Sequence, residues 1–401
     1  MFPDHSRDEA FLASAARAFL NEEPPRETLG SAAHSLDWGW ILSRAEDERL
    51  APLLYAVVRS LPVPGTVLER LRAAWVNGRR QHLAGAEQLS EVLSAFEREG
   101  LAVLALKGPV LGESLYRDPG LRSFTDLDLL IHAADVPRAV SLLAALGYCD
   151  QDPEHSLPYK LAWRHSASFA GAGSRGDRLP VDLHWGLLES PGIAPAPPIG
   201  LKEIWDRAVK LEGWDRSARG LCPEDLLIYL AAHWAVHHAF SGFLWGLDLA
   251  LLLRRCGGAL DWEGVAERGK RWGVRGALYH ALQEIQAGFA VGPPPGFLAG
   301  LRPGGLRRWL LEWLRHRRGD RLERLDYLIP VLLMDRGSDV FRALSSAALP
   351  AGGWARFRYG KRSLLGAYLA HYRRAGRVCL RTARAAFPLT VPLPRWGRGQ
   401  R

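Results

Sequence analysis

The sequence predicts a mixed α+β protein: a small mixed sheet with flanking helices, set between helical N- and C-terminal regions. Three observations carry that expectation. Residues 101–186 hold apolar or alternating runs of strand length, whereas the chain on either side repeats apolar residues at helical spacing. Glycine and proline punctuate those runs at 108–109, 147 and 171–177. No run reaches the roughly 18 apolar residues that a membrane-spanning helix needs.

Taken in order, the first hundred residues read as helical. Residues 41–61 and 67–99 are rich in Leu, Ala, Arg and Glu at helical spacing. Thr66 is a candidate N-cap, Gly100 a helix stop, and Gly78 and Gly85 are candidate breaks. Residues 101–106 form an apolar strand closed by Lys107, Gly108 and Pro109. Glycine there lets the backbone approach a ligand closely, and proline suits the first turn of a helix. That helix is expected over 109–116, with its N-terminal amides aimed at an anion. The next strand is 126–131. Asp135 caps a helix running to Leu146 and ended by Gly147. After a polar loop, 165–170 and 179–185 read as strands joined by the glycine-rich turn 171–177.

Beyond a proline-rich linker at 189–200, helices are expected over 201–210, 223–240, 244–255, 261–272 and 274–290. GPPPG at 292–296 marks a second break, and the arginine-rich end reads as helical to Ala386 with an extended tail at 387–401. Four regions follow: helical 1–100, a mixed core at 101–188, helical 201–290, and basic helical 297–401. The sequence contains no internal repeat.

At 401 residues, 48% hydrophobic and 24% charged, the composition is that of a globular protein able to bury a large core. Cys149, Cys222, Cys256 and Cys379 are too scattered for a zinc motif or a disulfide framework. The acidic, polar N-terminus has no signal-peptide pattern, which points to a cytoplasmic protein. Charge is uneven: residues 302–401 carry 22 basic against 6 acidic side chains, +16, so with a total of +9 the rest carries −7. Such asymmetry marks either contact with nucleic acid or an anionic membrane, or the solvated face of amphipathic helices.

The densest chemistry lies in TDLDLLI, 125–131. Successive strand side chains point to opposite faces, so Asp126 and Asp128 project together while Leu127, Leu129 and Ile131 anchor the other face. Two carboxylates so placed repel unless a cation lies between them, and Mg²⁺ (or Mn²⁺) suits oxygen ligands. In VDLHW, 181–185, Asp182 and His184 share one face and Val181, Leu183 and Trp185 the other, so a strand beside the acid pair would deliver Asp182 to the same site. Lys107 and Gly108 stand at a helix start, where phosphate would bind. Arg122 lies four residues before Asp126; its fork suits phosphate, or pairs with Asp118. His184 would orient Asp182 or contact a phosphate. Tyr116 reads as a packing residue. His233 and His237 share a helix face, but HWAVH lacks the glutamate of HExxH, which favours packing and hydrogen bonding over zinc. Asp248, on an apolar helix, is expected to meet an arginine.

The pattern LKG at 106–108, LYRDPGLRSFTDLDLL at 115–130, Gly147-Tyr148 and VDLHW at 181–185 resembles bacterial nucleotidyltransferase-like proteins of the DNA polymerase β superfamily. More closely, it is similar to a poorly characterised branch of nucleotidyltransferase family proteins, and the likeness extends more loosely through 223–238. The resemblance implies a minimal polymerase-β-like core. Superfamily members carry a Gly-Ser pair at the end of the first strand; Lys107-Gly108 stands there in this chain. Asp126 and Asp128 match the paired acids and Asp182 the third carboxylate, at a longer glycine-to-aspartate spacing than in compact members. The implied reaction transfers a nucleoside monophosphate from an NTP, ATP among the candidates, to an acceptor hydroxyl and releases pyrophosphate. The implied metal ligands and catalytic residues are Asp126, Asp128 and Asp182, with Lys107, Gly108, Arg122 and His184 binding the nucleotide. The acceptor is a small molecule, a peptide, a protein or an RNA end. Two rivals stand beside this reading: a non-catalytic nucleotide- or RNA-binding protein that kept the fold, and a toxin-type nucleotidyltransferase acting on a macromolecule.

Overall fold

Alternation along short strands decides which side of the central sheet meets the core. The strands are β1 (Val103–Ala105), β2 (Leu127–Ile131), β3 (Tyr148–Asp150), β4 (Ser166–Gly171), β5 (Val181–His184), β6 (Val209–Lys210) and β7 (Arg219–Gly220). They form one mixed sheet in the order β3-β4-β5-β2-β1-β7-β6. The pairs β2/β5 and β1/β7 are parallel and the other neighbours antiparallel. Val103, Ala105, Leu127, Leu129, Ile131, Ala167, Phe169, Val181 and Leu183 are buried in one core with Leu89, Val92, Leu93 and Phe96 of the helix Gly65–Arg98. Val136, Ala139 and Leu143 of the helix Val136–Ala145 complete it. Each fully buried aliphatic or phenyl side chain contributes roughly 1.5–3 kcal/mol, and this concentration fixes the register of β2 and β5.

The coordinates, a computed structural model, describe residues 6–22, 29–30, 33–171, 178–188, 200–214, 218–316 and 328–386. Most of the expected turn at 171–177 and linker at 189–200, and the whole tail at 387–401, lie outside them. The chain divides into two compact units: residues 1–190, 195–303 and 333–336, and residues 191–194, 304–332 and 337–401. The first contains the whole sheet together with the helices on both sides of it in sequence.

Several boundaries differ from the sequence expectation for physical reasons. The stretch 41–61 is two helices, Trp38–Asp47 and Ala51–Val58, parted where Arg49 takes φ +59°. Gly78 and Gly85 do not break the helix Gly65–Arg98. They are points of close approach: a Cβ on Gly78 would lie 2.3 Å from the Gly120 carbonyl oxygen, and one on Gly85 2.8 Å from the Phe124 ring. The expected helix 201–210 stops at Arg207, and Val209–Lys210 instead pairs with β7 at the sheet edge. β3 and the helix Leu157–Trp163 occupy ground read as loop. The expected helix 223–240 is regular only over Pro223–Ala232. It then widens into a π turn, His233–His237, and leaves through Ala239 and Phe240, both at positive φ.

The second unit is helical: Gly305–His316, Gly337–Ala348, Gly352–Arg358 and Leu364–Ala386. Among the described residues, no helix is long and apolar enough to cross a membrane.

Candidate active site

The parallel register of β2 and β5 sets Asp128 beside Asp182 and Leu130 beside His184. Since Leu127, Leu129, Val181 and Leu183 face the core, Asp128, Asp182 and His184 project from the opposite face. One ligand atom from each of the three lies within 4.8 Å of the others. Ser168 of β4 is directly opposite Asp182 and shares that face. Asp126 precedes β2 and stands outside this three-residue group, yet close enough for the charges of Asp128 and Asp182 to act on it.

Lys107 reaches the same face from the end of β1. Its Nζ donates to Asp128 Oδ1 at 3.2 Å, and His184 Nε2 lies 3.0 Å from that oxygen. Gly108 makes the approach possible. It holds φ +64°, and a Cβ there would sit 3.0 Å from the Asp126 carbonyl oxygen; a side chain at this position would be strained twice over.

Electrostatics separates the acids. Burial, reinforced by the Asp128 charge, pushes the Asp126 carboxyl up to about 6. Burial would raise Asp128 too, but the Lys107 ammonium and His184 overcome it and hold this carboxyl well below the usual range. For Lys107 burial opposes the charge, and Asp128, Tyr229 and Asp126 outweigh it, so its affinity for the proton is raised. The site thus has three carboxylates around a single fixed ammonium, an excess of negative charge that favours a further cation.

A helical wall closes the lysine in. Lys107 Nζ lies 3.3 Å from His233 Nε2 and 5.7 Å from the ring centres of both Tyr229 and Trp245. His238 Nε2 is 3.1 Å from His233 Nε2, and its ring stacks on Trp245 at 4.6 Å. Burial and the nearby Lys107 hold His233 well below the ordinary histidine range; burial and His237 push His238 down to about 4. These imidazoles are neutral near pH 7. His233 and His237 stack at 5.0 Å. The set whose ligand atoms converge, among the described residues, is Asp128, Asp182 and His184.

Arg122 is placed differently from the rest. It is buried, and its guanidinium donates through Nε and Nη2 to Asp248 at 2.9 and 2.8 Å and through Nη1 to the Gly108 carbonyl at 3.1 Å. Tyr116 Oη donates to the same Asp248 at 2.8 Å. The arginine thereby ties the Gly108 loop to the helix Phe243–Cys256. Asp118, its sequence-level rival partner, instead accepts from Trp75 Nε1 at 2.9 Å.

The family profile of uncharacterised nucleotidyltransferases matches residues 34–289. The chain belongs to this family. The match covers the sheet, its acid face and the helical wall, and it reaches well N-terminal of the stretch whose motifs carry the resemblance. No curated protein matches the chain. Membership supports nucleotidyl transfer in general and a nucleotide as substrate. Two carboxylates and an imidazole also fit a divalent cation, as nucleotidyltransferases generally use.

The sequence does not single out Tyr229, Trp245 or Ser168 as site residues, whereas His238 stands with His233 and His237 in its histidine cluster. A signal for the first existed: Tyr229, His233 and His237 recur every four residues, which sets one polar-tipped stripe on an otherwise apolar helix.

Proposed function

We propose that this nucleotidyltransferase moves a nucleoside monophosphate from an NTP to an acceptor hydroxyl and releases pyrophosphate. The observation that carries the proposal is the pairing of Asp128 with Asp182 on adjacent parallel strands, on the face that Lys107 and His184 also reach. In the step, the acceptor oxygen bonds to the α-phosphorus, the bond from that phosphorus to the bridging oxygen breaks, and its electron pair leaves with pyrophosphate. Asp128, Asp182 and His184, with Asp126 alongside, would hold Mg²⁺ or Mn²⁺. When bound, the cation neutralises phosphate charge and lowers the barrier at phosphorus. Asp128 is already engaged by Lys107 and His184. Asp182 is only partly buried, and it is the carboxylate we assign to take the acceptor proton. Lys107 fixes Asp128 and offers positive charge to the nucleotide phosphates, taking over as phosphate ligand from the serine of the superfamily's Gly-Ser pair. Gly108 allows that approach, and Arg122 holds the Gly108 loop in place from behind.

The test uses NTPs labelled at the α- or γ-phosphate, Mg²⁺ or Mn²⁺, and a cell extract as the source of acceptor. Label from the α-position should enter an acceptor fraction (small molecule, peptide, protein or RNA) and γ-label should leave as pyrophosphate. Asp182→Asn should abolish transfer while leaving the circular dichroism spectrum unchanged. Entry of γ-label into the acceptor, or full transfer by Asp182→Asn, would overturn the proposal.

A further inference from the structure

The end of the chain is chemically one-sided. Residues 340–401 contain no Asp or Glu and 13 Arg or Lys. Within this stretch the helix Leu364–Ala386 packs through Ala367, Tyr368 and His371. Ala367 is fully buried, Tyr368 Oη donates to the Pro350 carbonyl at 2.9 Å, and His371 Nε2 lies 2.8 Å from the Ala347 carbonyl. A second apolar stripe runs along a different side. Leu365, Leu369 and Leu380 are 72%, 50% and 61% exposed, and Tyr372 is 49% exposed. At 3.6 residues per turn these four fall within about 80° of one another. Arg373 and Arg377 are exposed on one flank of that stripe, and Arg374 is exposed on the far side of the helix. The helix Gly337–Ala348 also leaves Phe341 and Leu344 exposed, with Arg342, ion-paired to Asp339 at 4.0 Å, beside them.

We propose that the C-terminal unit is an interfacial anchor that lays these stripes into the surface of a bilayer containing anionic lipid. An amphipathic helix with arginines flanking an apolar face is the form that lies in the plane of a membrane without crossing it. Each half of the pattern excludes a different rival. A second copy docked through the same segment would bring together two surfaces of like positive charge, since residues 340–401 offer no acid to offset it. RNA would satisfy the arginines, but it binds by phosphate contacts and by stacking bases on aromatic rings, which leaves exposed leucines without a use. Anionic lipid accommodates both halves: headgroups meet the arginines, and acyl chains receive Leu365, Leu369 and Leu380. This proposal stands apart from the transfer chemistry, which it neither needs nor alters.

The experiment is flotation of the full-length protein with large vesicles of phosphatidylcholine alone, or with roughly 30% phosphatidylglycerol, a content ample to attract a polybasic segment. The protein should float with the anionic vesicles and remain behind with the neutral ones. Brominated anionic lipid should quench its tryptophan fluorescence, a readout on the unaltered chain. Leu365→Ser/Leu369→Ser/Leu380→Ser should abolish flotation. These side chains are exposed, so its thermal transition should match wild type. Arg373→Gln/Arg374→Gln/Arg377→Gln should weaken partitioning at least roughly tenfold. Equal flotation with neutral vesicles, undiminished binding by the leucine variant, or absence of quenching would each overturn the proposal. So would a dimer that the leucine variant dissolves, or tight RNA binding that anionic vesicles fail to compete.

Discussion

Replacing Lys107 with methionine removes the ammonium and keeps a stem of similar length. Asp128, 5% exposed at its side chain, then loses the 3.2 Å contact with Lys107 and retains only His184. Breaking a buried ion pair from one side costs about 3–5 kcal/mol. The surviving hydrogen bond from His184 sets the expectation at the lower end, about 3 kcal/mol, or roughly two powers of ten in the folding equilibrium. The assay is urea unfolding in EDTA followed by tryptophan fluorescence, repeated across pH. Asp128 is depressed from its ordinary 3.8, so its contribution is complete above that value and is lost as pH falls through the folded one. Lys107 is raised from 10.5, so its share is complete below 10.5 and is lost above it. Lys107 also holds down Asp126, whose carboxyl stands at about 6, so the gap should be widest above that pH and shrink as pH falls and first Asp126, then Asp128, takes up a proton in the variant. Adding Mn²⁺ should narrow the gap at neutral pH, because a bound cation supplies the charge that methionine lacks. A deficit under about 1 kcal/mol would refute the reasoning, since that is the worth of a surface pair. So would equal stabilisation of both proteins by Mn²⁺.

Arg122→Met should cost about 3–5 kcal/mol in the same urea assay, because Asp248 would remain a fully buried carboxylate with Tyr116 as its hydrogen-bond donor; a loss under 1 kcal/mol would show that the pair is not held out of water. Gly108→Ala should cost about 1–3 kcal/mol for its backbone alone (φ +64°, ψ −130°, a region that glycine alone enters freely), and more for the 3.0 Å approach to the Asp126 carbonyl. An unchanged unfolding midpoint would refute that strain.

How legible each element was in the sequence follows from how local its cause is. β1 and β2 declare themselves because an apolar run, and in β2 an alternation that opens it, are properties of adjacent residues. Alternation also put Asp182 and His184 on one face of β5. It could not say which strand lies alongside, and the parallel pairing that sets Asp128 against Asp182 is a tertiary fact. β6 and β7, two residues each, are too short to have a period at all. Gly78 and Gly85 read as helix breakers because propensity sees only the missing side chain. In the fold that absence is what admits Gly120 and Phe124. Arg122 and Asp248 were each suspected of having an ionic partner, but their sequence separation of 126 hid that they are partners of one another.

That separation recurs, and it bears on what the active unit is. Lys107 and His233 are also 126 positions apart. The two contacts run in parallel from the Lys107–Gly108 turn: one to the π turn after Pro223–Ala232, the other to the helix Phe243–Cys256. A sheet excised at residue 188 would keep Asp126, Asp128, Asp182 and His184. It would lose the imidazole and aromatic rings that enclose the lysine, and the carboxylate that neutralises Arg122. Both cations would then be free to turn toward the acids or toward water, and the loop that sets Lys107 against Asp128 would have no rear support. The helices beyond residue 200 are therefore part of the site in the physical sense: they fix where its positive charge stands.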